Sequence, residues 1–187
     1  TIAKRLSVND LKAMKDAGLT RLHVGLESGN DFLLKYMNKG VTKDEHIESG
    51  KKVKESGIEL SEYIVLGMGG RRWWKEHVND TSDALNKINP DFIRFRTLKV
   101  TKDMPLFERL ESGDFILSSE EEIIEEERSL IEQLNRITSY IKSDHILNLL
   151  EEVEGKLPEE KEKMLGIIDD FTSLSNEQRL IFRFGRR

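Results

Sequence analysis

The sequence predicts an α/β fold in which parallel strands alternate with helices. Three short apolar segments with strand character recur at regular spacing, and a segment with helical periodicity lies between each pair. This alternation is typical of βα units, which form parallel sheets through right-handed crossovers. We therefore expect three parallel strands with helices on one face of the sheet, over residues 20–26, 58–66 and 91–98.

Capping signals mark the ends of the predicted helices. An apolar repeat that follows a Ser-Val-Asn-Asp cap predicts a first helix over residues 8–17. Thr42 opens a capping box with Glu45, and Gly57 ends that second helix. The helix before the third strand stops at Asn89-Pro90. Because the first helix has no strand before it, we expect an upstream βα unit that this chain does not contain.

Residues beyond 115 have a different character and are predicted to be mostly helical. A helix that begins at Ser119 would keep one apolar face through a repeat of Ile and Leu that extends to Ile141. The acidic run Glu120–Glu127 is typical of a solvated helix face. Two regions are therefore expected, an α/β region over residues 1–115 and a helical extension over residues 116–187.

Composition excludes several classes of function. The chain has 187 residues, of which 30 are Lys or Arg and 35 are Asp or Glu, and its net charge of -5 disfavours binding to nucleic acid without sequence preference. No segment approaches the roughly 18 apolar residues of a membrane span. The chain has no cysteine, so it has no disulfide, no thiolate metal site and no ligand of its own for an iron–sulfur cluster.

The first residues bear on the extent of the protein and its location. Thr1 stands where an initiator Met would be, and no apolar signal segment follows it. We therefore expect that the chain begins inside a longer protein and that this protein is cytoplasmic.

Candidate binding residues follow the first predicted strand, because ligand sites of parallel α/β sheets lie at the carboxyl ends of strands. Glu27 could accept two hydroxyl groups of a ribose or hold an ammonium group, and Ser28 could bond a carboxylate. Alternatively, Ser28 and Asn30 only cap the following helix. That alternative is weaker for Glu27, because a carboxylate beside an apolar strand is costly unless it has a partner.

The second strand is followed by clustered glycines, which allow a backbone to approach a flat ligand closely. The cluster fits neither the dinucleotide-binding fingerprint nor a phosphate-binding loop. A tight turn without a ligand is an equal alternative. The residues of this candidate site are Gly67, Met68, Gly69 and Gly70.

Basic residues alternate with apolar ones along the third predicted strand. Arg94 and Arg96 could line a cavity for a carboxylate, or they could belong to an exposed edge. The segment Ser143-Asp144-His145 is not a catalytic triad, because triad members meet in space and adjacent side chains diverge.

Several of these motifs resemble the second half of a radical S-adenosylmethionine (radical SAM) enzyme. The similarity is to bacterial members of the Elp3-like and oxygen-independent coproporphyrinogen-oxidase-like group, and it covers residues 5 to about 115. The tail resembles the helical extension of one subgroup. The motifs are Gly25–Asn30, Met37–Thr42, Ile64–Gly70, Asn89–Arg94 and Met104–Leu106.

The resemblance implies the C-terminal part of a partial (βα)6 TIM-like barrel. In that family three cysteines hold a [4Fe-4S] cluster, at which S-adenosylmethionine is cleaved reductively to a 5′-deoxyadenosyl radical that abstracts hydrogen from the substrate. This chain has no cysteine, and the strands expected to carry the cluster motif and the contact to the methionine amino group are missing from it. The resemblance therefore implies that both cofactors belong to the full-length parent and that the fragment alone is inactive.

The resemblance also implies roles for individual residues. The exit of the first strand would contact the ribose or the methionine part of S-adenosylmethionine, and the glycine-rich exit would lie near the adenine. A basic position after the first strand would pair with the methionine carboxylate. The positions that match are Glu27 and Ser28 for the first role, Gly67, Met68, Gly69 and Gly70 for the second, and Lys39 for the third.

The expected partners are a substrate, either a small molecule or of unknown class, and the missing N-terminal half of the same protein. The first strand would leave unpaired backbone groups at one edge of the sheet, so we also expect a homodimer through this edge or its occlusion by the tail. Neither a membrane nor a nucleic acid is an expected partner. An alternative from another class is a non-catalytic binding or assembly module.

Overall fold

A computed structural model describes residues 5–184, which form one sheet and a set of surrounding helices. Within this part of the chain the strands are β1 (Arg21–Glu27), β2 (Glu59–Leu66), β3 (Phe92–Thr97), β4 (Tyr140–Lys142) and β5 (Gly155–Lys156). The helices are α1 (Val8–Asp16), α2 (Asp31–Tyr36), α3 (Lys43–Ser56), α4 (Gly70–Ile88), α5 (Pro105–Glu111), α6 (Glu120–Gln133), α7 (Lys161–Ser173) and α8 (Asn176–Phe184).

The strands lie in the sheet in the same order as in the sequence. β1, β2, β3 and β4 pair in parallel, and β5 pairs antiparallel with β4. Helices connect the parallel strands, so the carboxyl ends of β1, β2 and β3 meet at one edge of the sheet. The predicted α/β class and the three predicted parallel strands are confirmed.

The two faces of the sheet have different environments. On one face alternate strand residues, including Val24, Ile64 and Phe95, are buried in a core shared with the helices. The side chains between them point to the opposite face, where most of them, Ser61 excepted, are only partly covered. We call this second surface the open face; the side chains on it that matter below are Arg21, His23, Tyr63, Arg94 and Arg96.

The tail departs from the prediction in one respect. α6 ends at Gln133, where Leu134 takes an extended backbone, and Ile141 lies in β4 rather than on the predicted helix face. The pairing of β4 with β3 explains its burial, since Ile141 is opposite Ile93. A three-residue strand is too short to show an alternation in the sequence. The sheet therefore extends into the tail, and the predicted domain division at residue 115 stays a prediction.

β1 lies at one end of the sheet, whereas the tail strands β4 and β5 lie at the other. In the described part of the chain, the tail strands therefore do not cover the edge of β1. The homodimer through this edge stays a prediction. The prediction that the chain begins inside a longer protein rests partly on residues 1–4, which lie outside the described residues. None of the helices described is long and apolar enough to cross a membrane.

Three carboxyl groups are buried among residues 5–184, which corrects the prediction that Glu120–Glu127 is a solvated face. Glu126 and Glu127 of α6 are 0% and 2% exposed, and Glu62 of β2 is 1% exposed. Burial raises the pKa of each of the three groups to about 8. At neutral pH the folded chain therefore holds all three in their protonated, uncharged form.

We predict that Glu62→Gln makes the stability of the chain less dependent on pH. The unfolded chain releases the Glu62 proton near the ordinary pKa of 4.5, and the folded chain releases it only near 8, so the free energy of unfolding falls as the pH rises between these values. From pH 6.5 to 8 the Gln variant should lose about 1 to 2 kcal/mol less than the wild type. Urea denaturation followed by tryptophan fluorescence measures the difference.

The matched control is Glu55→Gln, which changes an exposed carboxylate on α3. This control should show the same pH dependence as the wild type. Equal slopes for the wild type and Glu62→Gln would contradict the protonated state assigned to Glu62.

Candidate functional site

The backbone at the end of β1 directs the Glu27 side chain toward the open face of the sheet. Glu27 has a positive φ of 61° and follows a register irregularity that begins at Gly25. Such bulges reorient side chains at strand ends, and a positive φ is uncommon for a residue with a Cβ. A Cβ at position 25 would lie 3.0 Å from Glu27 Oε1, so Gly25 leaves room for the carboxylate to fold back over the strand.

Glu27 and Lys39 meet at a cavity beside the end of β1. The Lys39 ammonium lies 2.5 Å from Glu27 Oε2, and both side chains are partly exposed. The cavity has a volume of about 230 Å³. The residues that line it are Gly25, Leu26, Glu27, Leu34, Lys39, Val41 and His46. Two residues that the sequence predicted for the same ligand are therefore in contact.

This cavity offers both an acceptor and a cation to a ligand. The Glu27 carboxylate can accept from hydroxyl or ammonium groups, and Lys39 can pair with a carboxylate. Partly exposed ion pairs contribute about 0 to 1 kcal/mol, so a ligand can replace the Glu27–Lys39 pair at small cost. Ligand pockets usually measure about 300 to 1,000 Å³, so this cavity has the size of one part of a site.

The two arginines that could have paired with Glu27 have other partners. Arg21 donates to Glu59 at 2.9 Å, and Arg96 lies 3.5 Å from Asp144. Lys39 is therefore the ion-pair partner that the structure shows for Glu27.

Ser28 is buried and does not line the cavity. Its Oγ lies 2.8 Å from His77 Nδ1 and accepts from the Asn30 amide at 3.0 Å. Asn30 caps α2 by accepting from Leu33 N at 2.9 Å, which confirms the capping alternative for Asn30. The predicted contact of Ser28 with S-adenosylmethionine stays a prediction.

The glycine-rich turn after β2 is occupied by the chain's own atoms. Gly67 has a φ of 82° and donates its amide to Glu126 Oε1 at 2.8 Å. A Cβ on Gly70 would lie 2.5 Å from the carbonyl oxygen of Ile116, so this glycine allows a close backbone approach. Met68 is 2% exposed. The predicted contact of Gly67, Met68, Gly69 and Gly70 with adenine stays a prediction.

A chain of buried polar groups connects the two strand exits. His77 of α4 contacts Ser28 through Nδ1, and its Nε2 lies 3.5 Å from Glu126 Oε1, which in turn accepts from Gly67. We call Ser28, His77, Glu126 and Gly67 the buried link. Burial lowers the pKa of His77 to about 4 and raises that of Glu126 to about 8, so both side chains are uncharged at neutral pH.

Sequence reasoning missed the buried residues of this region. His46 lines the cavity and burial lowers its pKa to about 4, but its position in α3 carries no motif. For α6 the sequence did indicate a buried carboxyl group. Glu127 lies four residues after Ile123 and three before Leu130, which places it on the apolar face of the helix.

The site does not fit an iron–sulfur cluster held by this chain alone. The sequence has no cysteine. Among the described residues, no group of three or more His, Asp or Glu side chains is placed to hold a metal ion. Any cluster ligands must therefore come from outside this chain.

Comparisons with known proteins agree with this geometry. The profile of the Radical SAM superfamily matches residues 1–81. Biotin synthase of Clostridium botulinum strain Hall is 33% identical over 101 residues, which cover 54% of this chain and 30% of the relative. The tRNA uridine(34) acetyltransferase of Methanocaldococcus infernus is 26% identical over 125 residues, which cover 64% of this chain and 22% of the relative.

A solved structure shows the same fold. It is the archaeal Elp3 of Methanocaldococcus infernus with an N-terminal deletion, at a TM-score of 0.61 and 24% identity, covering 76% of this chain and 34% of that chain. The present chain thus spans about a third or less of the length of these relatives. The chain is thus similar to the Radical SAM superfamily over residues 1–81, and it shares the fold of the archaeal Elp3.

We predict losses of stability of different size for two adjacent positions. Ser28→Ala should lower the free energy of unfolding by about 1 to 3 kcal/mol, because it removes the 2.8 Å contact of His77 Nδ1 and leaves the Asn30 amide without its hydrogen-bond acceptor. Glu27→Gln should lower it by less than about 1 kcal/mol, because only a partly exposed ion pair is lost. Urea denaturation at neutral pH measures both values.

The control for the first variant is Ser112→Ala, which removes an exposed hydroxyl that bonds the Arg109 carbonyl at 3.1 Å. It should have little effect. A larger loss for Glu27→Gln than for Ser28→Ala would reverse the assignment of the two residues.

Proposed function

We propose that this chain is the C-terminal half of a radical SAM enzyme and holds part of its S-adenosylmethionine site. The observation that carries the proposal is the cavity at the end of β1, where Glu27 and Lys39 lie 2.5 Å apart within the segment that the superfamily profile matches. S-adenosylmethionine bound to a [4Fe-4S] cluster would supply the radical that abstracts hydrogen from a substrate.

The donors at this cavity suit the polar end of S-adenosylmethionine. Glu27 would accept from the ribose hydroxyls or the methionine ammonium, and Lys39 would pair with the methionine carboxylate. The glycines after β2 would contribute backbone contacts to the adenine. The chain would thus position the cofactor, and the parent's N-terminal half would supply the cluster ligands, so the isolated chain would not be catalytic.

The names of the relatives do not identify a substrate. They include a biotin synthase and a tRNA uridine(34) acetyltransferase, which differ in what they act on. We propose only that the substrate is a separate molecule bound near the carboxyl ends of the strands. A cytoplasmic location also stays a prediction.

A binding or assembly module is the second candidate, and the position of β1 favours it. β1 is a terminal strand of the sheet, and such edges commonly pair with another chain. The two candidates differ in the sequence that precedes Thr1. Three missing βα units of about 35 residues each would place three closely spaced cysteines about 100 to 200 residues upstream in a radical SAM parent.

In the cluster-loaded parent protein, we predict that Glu27→Gln weakens S-adenosylmethionine binding about 10- to 150-fold. Hydrogen bonds to a charged group are worth about 1.5 to 3 kcal/mol, and the Gln variant loses the charge while keeping the shape. Titration of the reconstituted parent with S-adenosylmethionine measures the dissociation constant, and thermal melting measures stability.

The matched control is Glu48→Gln, which also removes the carboxylate of an ion pair, at 2.9 Å from Lys52 on α3. The control should leave the dissociation constant unchanged. An unchanged dissociation constant for Glu27→Gln together with a clear loss of stability would return Glu27 to a structural role and remove this proposal.

A further inference from the structure

The open face carries cations that the proposed cofactor site does not use. Arg94 and Arg96 are two residues apart on β3, so their side chains lie on the same face of the sheet. Arg21 and His23 of β1 lie on this face too, and Tyr63 of β2 lies between the two strands. In a βα barrel the face opposite the helices is the inner one, where residues near the strand ends can reach a substrate.

A carboxylate already lies between the two arginines of β3. Asp144 follows β4 and belongs to the segment Ser143-Asp144-His145, which forms no triad. Its Oδ2 accepts from Arg94 Nη2, and its Oδ1 lies 3.5 Å from Arg96 Nη1. The spacing of the two guanidinium groups therefore suits one carboxylate group.

An aromatic ring supports the two guanidinium groups. The guanidinium carbon of Arg96 lies 4.7 Å from the centre of the Tyr63 ring, and that of Arg94 lies at 5.9 Å. Arginine on an aromatic face keeps its donors directed at a planar anion. Arg94 Nε is shielded from solvent and has no hydrogen-bond partner among the described residues, which leaves one directed donor unused.

Three arginines, Arg21, Arg94 and Arg96, lie on the open face, although the whole chain has a net charge of -5. Partial burial and the positive charges of Arg94, Arg21 and Arg96 hold the pKa of His23 below its ordinary value. Glu59 pairs with Arg21, and Asp144 lies against Arg94 and Arg96, yet the three arginines still lower the pKa of His23.

We propose that the open face is a substrate subsite that binds a carboxylate group through Arg94 and Arg96, and that Asp144 occupies this position until the substrate displaces it. The assignment of the ligand as substrate rests on the function proposed above. A carboxylate is favoured over a phosphate because the group that now lies against both guanidinium groups is itself a carboxylate. The tail then contributes to the site, since Asp144 lies after its first strand.

The probe is succinate, added to the purified chain at constant ionic strength, with neutral succinamide and inorganic phosphate as comparisons. NMR of the His23 ring protons gives both the dissociation constant and the pKa of His23. Succinate should raise the pKa of His23 toward its ordinary value, because a bound anion offsets the neighbouring arginines. Succinamide should have no effect, and phosphate should bind more weakly than succinate.

Three variants locate the binding. Arg96→Gln should weaken succinate binding about 3- to 10-fold, because these side chains are partly exposed to solvent. Asp144→Asn should tighten binding, because it removes the competing carboxylate. Arg128→Gln is the control; Arg128 is also paired with carboxylates, Asp169 and Glu132, but it lies on α6. Circular dichroism verifies that each variant is folded.

The outcomes separate this inference from the function proposed above. Phosphate binding at least as tight as succinate, equal binding by Arg96→Gln and Arg128→Gln, no effect of succinate, or weaker binding by Asp144→Asn would each overturn the inference. The titration contains no S-adenosylmethionine, so a failure of the cofactor proposal would leave its result unchanged.

Discussion

The arrangement of both strand exits depends on one buried polar contact chain, in which His77 lies between Ser28 and Glu126. The histidine holds the end of β1 through the serine, and Glu126 holds the end of β2 through the Gly67 amide. Moving either loop would break a buried hydrogen bond, between His77 and Ser28 or between Gly67 and Glu126, and an unpaired polar group in an apolar interior is costly. The exits are therefore fixed by the protein itself, before any ligand arrives.

The two faces of the sheet differ in role: one packs against the helices, and the other carries charged side chains. Burial of alternate strand residues against the helices supplies the core, and the same alternation directs charged residues to the open face. Glu27 and Lys39 lie at the cavity beside β1, and Arg94 and Arg96 lie across the sheet on β3. The cofactor subsite and the substrate subsite that we propose thus lie on strands of one sheet.

Periodicity and capping residues in the sequence predicted the first three strands and the helices between them. The bounds of β1, β2 and β3 agree with expectation to within about one residue, because alternating helices and strands leave strong local signals. β4 was missed, since three residues that pair with a distant strand carry no local pattern. The sequence indicated the pairing of Glu27 with Lys39 only through the family resemblance. It did not predict the burial of Glu126, because the neighbouring residues are acidic and because burial depends on packing between α6 and α4.

The central claim is that buried side chains fix both strand exits without a cofactor, and amide hydrogen exchange of Gly29 and Gly67 tests it most directly. Gly29 donates to Thr81 Oγ1 at 2.9 Å and Gly67 donates to Glu126 Oε1 at 2.8 Å. In the isolated chain both amides should exchange as slowly as that of Ile64 in the central part of β2. Exchange of either amide as fast as that of Gly113, in an exposed turn, would contradict the account.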